Sequence, residues 1–222
     1  MLTLEIKAAS DAVEKAKAPS KKRNFAQSID LGVILQDVDL KSPGAKINEL
    51  VEFPNPLSKA VRVCVIGTGQ MAVDAERAGA DRVITKEGLE DLAKDRKAAK
   101  KLAREYDFFI SEAPLMPTVG KVLGSLLGPH GKMPRPVPPN SPIAPVIERQ
   151  RRMVRIRVKD QPLIQCRVGI QDMETSKIVE NIQAVLAILE DKLARGLRNI
   201  RRLYVKSTMG EPFEIQVGGK KR

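Results

Sequence analysis

Residues 61–73 read VRVCVIGTGQMAV. An apolar run from Val61 to Ile66 meets a Gly67-Thr68-Gly69 turn and passes into a helical pattern. Gly67 to Ala72 fits the form G-x-G-x-x-A, and Glu87 follows twenty residues after Gly67. At a strand-turn-helix corner such glycines let backbone N–H groups approach a pyrophosphate, and a later acid binds a ribose hydroxyl. The chemistry would be that of an NAD-dependent oxidoreductase. The alternative is structural: any βαβ corner needs a tight turn, and glycine supplies it.

No catalytic set accompanies the turn. The single histidine, His130, lies in a stretch rich in Pro and Gly. Cys64 and Cys166 are far apart, and each sits inside an apolar run, as expected of reduced core residues. These residues give no metal-ligand spacing. Most carboxylates alternate with Lys and Arg on helical patterns, as in Glu90, Asp91, Lys94, Asp95 and Arg96, which reads as a solvated face. No GxSxG, HExxH or Walker pattern occurs. No cofactor and no enzymatic activity are expected.

Charge points elsewhere. The 222 residues carry a formal net charge of +12, with a pI near 9.8, a balance that favours nucleic acid as partner. Between Lys121 and Lys159 nine basic residues (Lys121, Lys132, Arg135, Arg149, Arg151, Arg152, Arg155, Arg157 and Lys159) face one acid, Glu148. Such a stretch suits phosphate contacts, which give affinity without sequence reading, or it is a solvated crossing between domains. Near the C-terminus, Arg202, Tyr204 and Lys206 share one face of a strand pattern, followed by Ser207, Thr208, Met209 and Gly210. A Met at a turn tip among small hydroxyls suits a surface that meets ribose and bases closely. An ordinary hairpin turn with a half-buried Met is the other reading. In KKRNFAQ, residues 21–27, Phe25 stands among Arg23, Asn24 and Gln27. It is either a stacking surface for a base or the first core residue of the next strand. No apolar run nears the ~20 residues of a membrane span, and the N-terminus lacks the basic-then-apolar order of a signal peptide.

The elements that must position these residues follow from periodicity. Residues 3–17 have a helical pattern ending before Pro19, and 26–35 alternate as a half-buried strand. The segment 36–60 reads as irregular. From 61 to 110 strands alternate with helices (61–66, 70–78, 81–85, 88–104, 107–110), which implies right-handed crossovers and a parallel sheet. Residues 114–145 read as Pro/Gly-rich, with a short helix at 119–127. Strands at 153–159 and 163–170, a helix at 176–194 and strands near 203–207 and 212–217 complete the chain. The expected fold is mixed α/β with two domains. A discontinuous two-layer α+β domain, 1–61 plus 153–222, is interrupted by an inserted Rossmann-like three-layer α/β domain at 62–152.

Several motifs together resemble the large-subunit ribosomal protein L1 family, most nearly its archaeal branch. They are SEAPLMPTVGKVLGSLLGPHGKMPRP at 111–136, LYVKSTMG at 203–210, RNFAQSIDL at 23–31 and SKIVENIQAVLAIL at 176–189. The resemblance implies that the discontinuous domain carries the main RNA site. By motif that site takes in Phe25, Thr208, Met209 and Gly210, with Lys206 and Ser207 beside them and Arg23 and Asn24 next to Phe25. Gln165, Arg167, Val168 and Gly169 match a second contact strand, with Cys166 between them. After GPHGKMP the chain continues RPVPPNSP, unlike bacterial members. The resemblance further implies binding to the stalk region of large-subunit rRNA, help in releasing deacylated tRNA from the exit site, and repression through the protein's own mRNA leader. It implies a cytoplasmic, ribosome-bound protein, monomeric when free, with no membrane partner. A nonspecific basic RNA chaperone is the remaining nucleic-acid reading.

Overall fold

The computed structural model describes residues 6–18, 23–38, 47–57, 61–139, 141–158 and 161–215. Leu4, Lys21, Lys22, Lys159 and the stretch after Ile215 lie outside them. The chain divides into two compact units, Met1–Ser58 with Arg152–Arg222, and Lys59–Arg151.

In the first unit, β1 (Ser28–Leu35) lies between β8 (Leu163–Ile170) and β9 (Ile200–Ser207), and β10 (Pro212–Ile215) pairs with β9. All three pairings are antiparallel. Ile29, Leu31, Val33 and Leu35 point inward with Ile164, Cys166, Val168, Leu203 and Val205. This is the period-2 pattern of a sheet with one covered face. The cover is α1 (Ile6–Lys17) and α7 (Thr175–Lys192), which bury Ala9, Val13, Ile178, Ile182, Val185 and Leu189. A two-stranded ribbon, β2 (Asn48–Glu52) with β7 (Met153–Arg157), adds Val51 and Ile156 to the same core. β2 falls in the segment expected to be irregular. Its NELVE sequence has too little alternation to announce a strand, and pairing with β7 forms it.

Two long-range polar clasps close this unit. Asn181, fully buried on α7, donates from Nδ2 to the carbonyls of Asn55 (3.0 Å) and Val168 (2.9 Å), and its Oδ1 accepts from Asn55 N–H (3.2 Å). Asn199 donates to Gln36 O (3.0 Å) and accepts from Arg195 N–H (2.8 Å).

The second unit is a parallel sheet in the order β4-β3-β5-β6, formed by β3 (Val63–Ile66), β4 (Arg82–Ile84), β5 (Phe108–Glu112) and β6 (Arg135–Val137). Cys64 and Ile66 face α3 (Lys86–Lys94), α4 (Arg96–Glu105) and α5 (Met116–His130). Val63 and Val65 face α2 (Gly69–Arg77) and α6 (Ile143–Arg151) on the other side. A strand buried on both faces reads as a continuous apolar run, as VCVI does.

Two expectations for this unit need correction. The single helix at 88–104 is two helices, because Asp95 leaves helical geometry and caps the second one, accepting from Lys97 N–H (2.9 Å) and Ala98 N–H (3.1 Å). The Pro/Gly-rich stretch 114–145 holds a fourth parallel strand and all of α5, with Pro129 inside that helix. Gly131, at φ 67°, ends α5 with the left-handed turn that favours glycine. The turn aims Lys132 at the end of α4, where its ammonium donates to Ala103 O (3.0 Å) and Tyr106 O (2.6 Å). Much of the GPHGKMP motif is thus a clasp between α5 and α4.

Burial pushes the thiols of Cys64 and Cys166 up to about 12. Both should resist a thiol-specific disulfide reagent at pH 8 in the native protein and react fully after denaturation. Replacing Asn181 by Leu should lower stability by about 1–3 kcal/mol, since it strands two carbonyls and an N–H in or near the core; urea unfolding measures it.

Candidate nucleic-acid interface

β1 and β9 run antiparallel with Ile29 opposite Ser207. The segment before β1 and the turn after β9 therefore reach the same end of the sheet. Hydrogen bonds tie them together there. Ser28 N–H donates to Thr208 Oγ1 (3.1 Å), Thr208 N–H donates to Ser28 O (3.0 Å), and Met209 N–H donates to Gln27 Oε1 (3.2 Å). Gly210 N–H turns back to Ser207 O (3.1 Å). A Cβ at Gly210 would stand 2.1 Å from Ser207 Oγ, so a side chain there would have to displace the Ser207 hydroxyl.

Gln27 is buried and Thr208 exposed. Phe25 is 50% and Met209 62% exposed. Those numbers decide two open readings: Phe25 is not a core residue, and Met209 is not half-buried in its turn. Two large apolar side chains stand in solvent beside a braced, polar turn, and Arg23 and Asn24 are exposed next to Phe25.

The outward face of the sheet continues from this end. Register sets Lys206, Asp30 and Arg167 in one row, Tyr204, Gly32 and Gln165 in the next, and Arg202 opposite Ile34 beyond them. Burial raises the Asp30 carboxyl above its ordinary value, although Arg167 and Lys206 both pull it down. The Tyr204 ring lies over Gly32, where a Cβ would stand 2.1 Å from Cζ. Tyr204 Oη accepts from Gln165 Nε2 at 3.4 Å. The Arg167 Nε is buried and has no hydrogen-bond partner among the described residues. Among the described residues Arg202 makes a loose 4.0 Å pair with Glu214. The face is thus cationic with one planar ring.

Val168 and Gly169 stand differently. The Val168 side chain is in the core and its carbonyl accepts from Asn181. Gly169 lies at a bulge, where a Cβ would meet Ile178 Cγ1 at 2.7 Å. Neither offers a side chain to the outward face. Ser207 is also buried. Sequence reasoning missed Ser28, Asp30 and Gly32. The available signal was Gly32 itself, because glycine at an outward position of a central strand marks something lying close above it.

The nine-cation stretch does not form one patch of free charge. Arg151 is taken by Gly79 O (2.6 Å) and Asp81 (3.4 Å), Lys132 by the end of α4, and Arg155 and Arg157 lie on β7 in the other unit.

The Gly67-Thr68-Gly69 corner joins β3 to α2 beside β5, where strand order reverses and nucleotides bind in many open α/β sheets. Here Glu112, buried at the end of β5, fills that position. Its Oε2 accepts from Thr68 N–H (3.0 Å) and from Thr68 Oγ1 (2.9 Å). The protein's own carboxylate has taken the N–H a phosphate would need. Glu87 is exposed in the first turn of α3, where its own backbone N–H and the Thr85 hydroxyl hold its carboxyl below the usual range.

Comparison with known proteins decides the family. The model for the "Ribosomal protein L1p/L10e family" matches residues 14–211. The chain belongs to this family. It is 50% identical to "Large ribosomal subunit protein uL1" of Hyperthermus butylicus, over 95% of this chain and 96% of that protein. The uL1 proteins of Thermofilum pendens (47%, over 92% and 91%) and Methanothermobacter thermautotrophicus (46%, over 92% and 97%) are similar throughout. This L1-family chain is a ribosomal protein, not an enzyme. Among its described residues no helix is long and apolar enough to cross a membrane.

In this L1-family unit Glu112→Ala should lower the melting midpoint, at a cost of about 1–3 kcal/mol for the stranded Thr68 donor. NAD should leave the midpoint of the native protein unchanged at every concentration; a rise with concentration would mean the Thr68 corner binds dinucleotide.

Proposed function

We propose that the protein is an RNA-binding component of the large ribosomal subunit, and that the first unit holds its main RNA site. The observation that carries this is the braced sheet end, where Gln27, Ser28 and Thr208 fix a turn that leaves Phe25 and Met209 in solvent. A prearranged surface loses little conformational entropy on binding. Phe25 and Met209 offer apolar contact to bases and sugars, and Thr208 Oγ1 offers a small polar group suited to a ribose hydroxyl. Arg23, Arg202, Lys206 and Arg167 supply charge for phosphates, and Asn24 and Gln165 supply amides. The backbones of Val168, Gly169 and Gly210 allow RNA to approach without side-chain obstruction.

The target is the stalk region of large-subunit rRNA, the assignment that family membership favours. The protein binds it as a monomer in the cytoplasm. Two further roles follow from the same site. A stalk carrying this protein assists release of deacylated tRNA from the exit site. A leader in its own mRNA with the fold of the stalk site competes for the same surface and represses translation.

Filter binding to a stalk rRNA fragment tests the site. Thr208→Ala or Met209→Ala should weaken binding by about 1–3 kcal/mol, the scale of one good stacking contact. Equal affinity for unrelated RNA of the same length would overturn the assignment. Competition by the protein's own leader mRNA tests the repressor role.

A further inference from the structure

Helix α4, RKAAKKLARE, carries Arg96, Lys97, Lys100, Lys101 and Arg104 in ten residues. Its buried face is Ala99, Leu102 and Ala103. Lys97, Lys100, Lys101 and Arg104 follow one another at three- and four-residue steps on the exposed side, and with Glu105 they line a shallow open depression. No ion pair engages any of these four cations among the described residues. Glu105, the acid in that lining, is paired with Arg62 at 3.1 Å.

Like charges at this spacing repel one another and oppose helix formation. The helix is nevertheless held at both ends, by the Asp95 cap and by Lys132 on the carbonyls of Ala103 and Tyr106. The fold therefore keeps a self-repelling cationic face in place, with no ion pair to these four cations among the described residues. The four cations span about 10 Å along the helix, the seven steps from Lys97 to Arg104 at about 1.5 Å each. A nucleic-acid duplex presents about six backbone charges over that length. A membrane surface fits less well, since interfacial helices insert an apolar face and the apolar face of α4 is already covered. A protein partner would call for an aromatic or aliphatic anchor, and this face has none.

We propose that the exposed face of α4 is a second RNA site, which grips the backbone phosphates of double-stranded RNA without reading sequence. It is separate from the sheet-end surface of the first unit and does not depend on it.

The test uses the full chain and a 16-base-pair RNA duplex of mixed sequence without the stalk motif, with anisotropy recorded across a salt series. Changing Lys97, Lys100, Lys101 and Arg104 together to Gln should weaken binding at least tenfold at low salt. It should also lower the slope of log K against log salt by about 3–4, since each duplex phosphate contact contributes about 0.9. Lys100→Gln with Lys101→Gln should give about half the change in slope, and Lys86→Gln on α3 none. The same losses should appear when Thr208→Ala and Met209→Ala are already present, so failure of the sheet-end reading and failure of this one are separable. All four side chains are exposed, and the melting midpoint should hold or rise as repulsion is relieved. Unchanged affinity and slope in the fourfold variant would overturn the proposal. So would loss of binding to phosphatidylserine vesicles with RNA binding intact.

Discussion

The pairing of β1 with both β8 and β9 is the constraint on which the rest of the first unit depends. A strand from the N-terminal segment lies between two strands supplied by the C-terminal segment. The sheet exists only when both segments are present, and so does the core that α1 and α7 cover. The pairing also builds the surface proposed to meet RNA. Because β1 and β9 are antiparallel neighbours, the stretch before one and the turn after the other must emerge together. The Ser28–Thr208 and Gln27–Met209 hydrogen bonds then fix their spacing. The core and the exposed sheet end thus rest on one register, and a one-residue slip of β1 would exchange its core and outward side chains.

The second unit shows how a fold can keep the form of a nucleotide site without its chemistry. The strand, the glycine corner and the helix at 63–77 are all present. Glu112 closes the position by accepting from Thr68. A carboxylate near a helix N-terminus is favoured for the same electrostatic reason that a phosphate would be. The corner's Thr68 donors therefore serve an internal contact. The GPHGKMP motif has a related character: Gly131 reverses the chain and Lys132 closes the end of α4.

Much of this was legible along the chain. Alternation in SIDLGVIL and LYVKS and the spacing of Ile178, Ile182, Val185 and Leu189 give elements that the structure contains. The continuous VCVI run marks a strand buried on both faces. Besides β6, three features were not legible. β2 has weak alternation and is made by its partner. The break at Asp95 depends on a cap that competes with helix continuation in a sequence helical on both sides. α6, IAPVIERQR, carries a Pro within its first turn, where proline is tolerated, so it reads as loop.

Residue types by themselves determined the basic character of the chain, its core faces and the motifs that mark its family, because charge and hydrophobic period are local properties. They left Phe25, Met209 and the glycine corner ambiguous. Only tertiary structure settled these, since the deciding contacts join distant residues. Thr208 meets Ser28 across 180 positions, Met209 meets Gln27 across 182, and Thr68 meets Glu112 across 44. An exposed aromatic and a buried one have the same letter, and what separates them is whether the fold brings another segment to cover it.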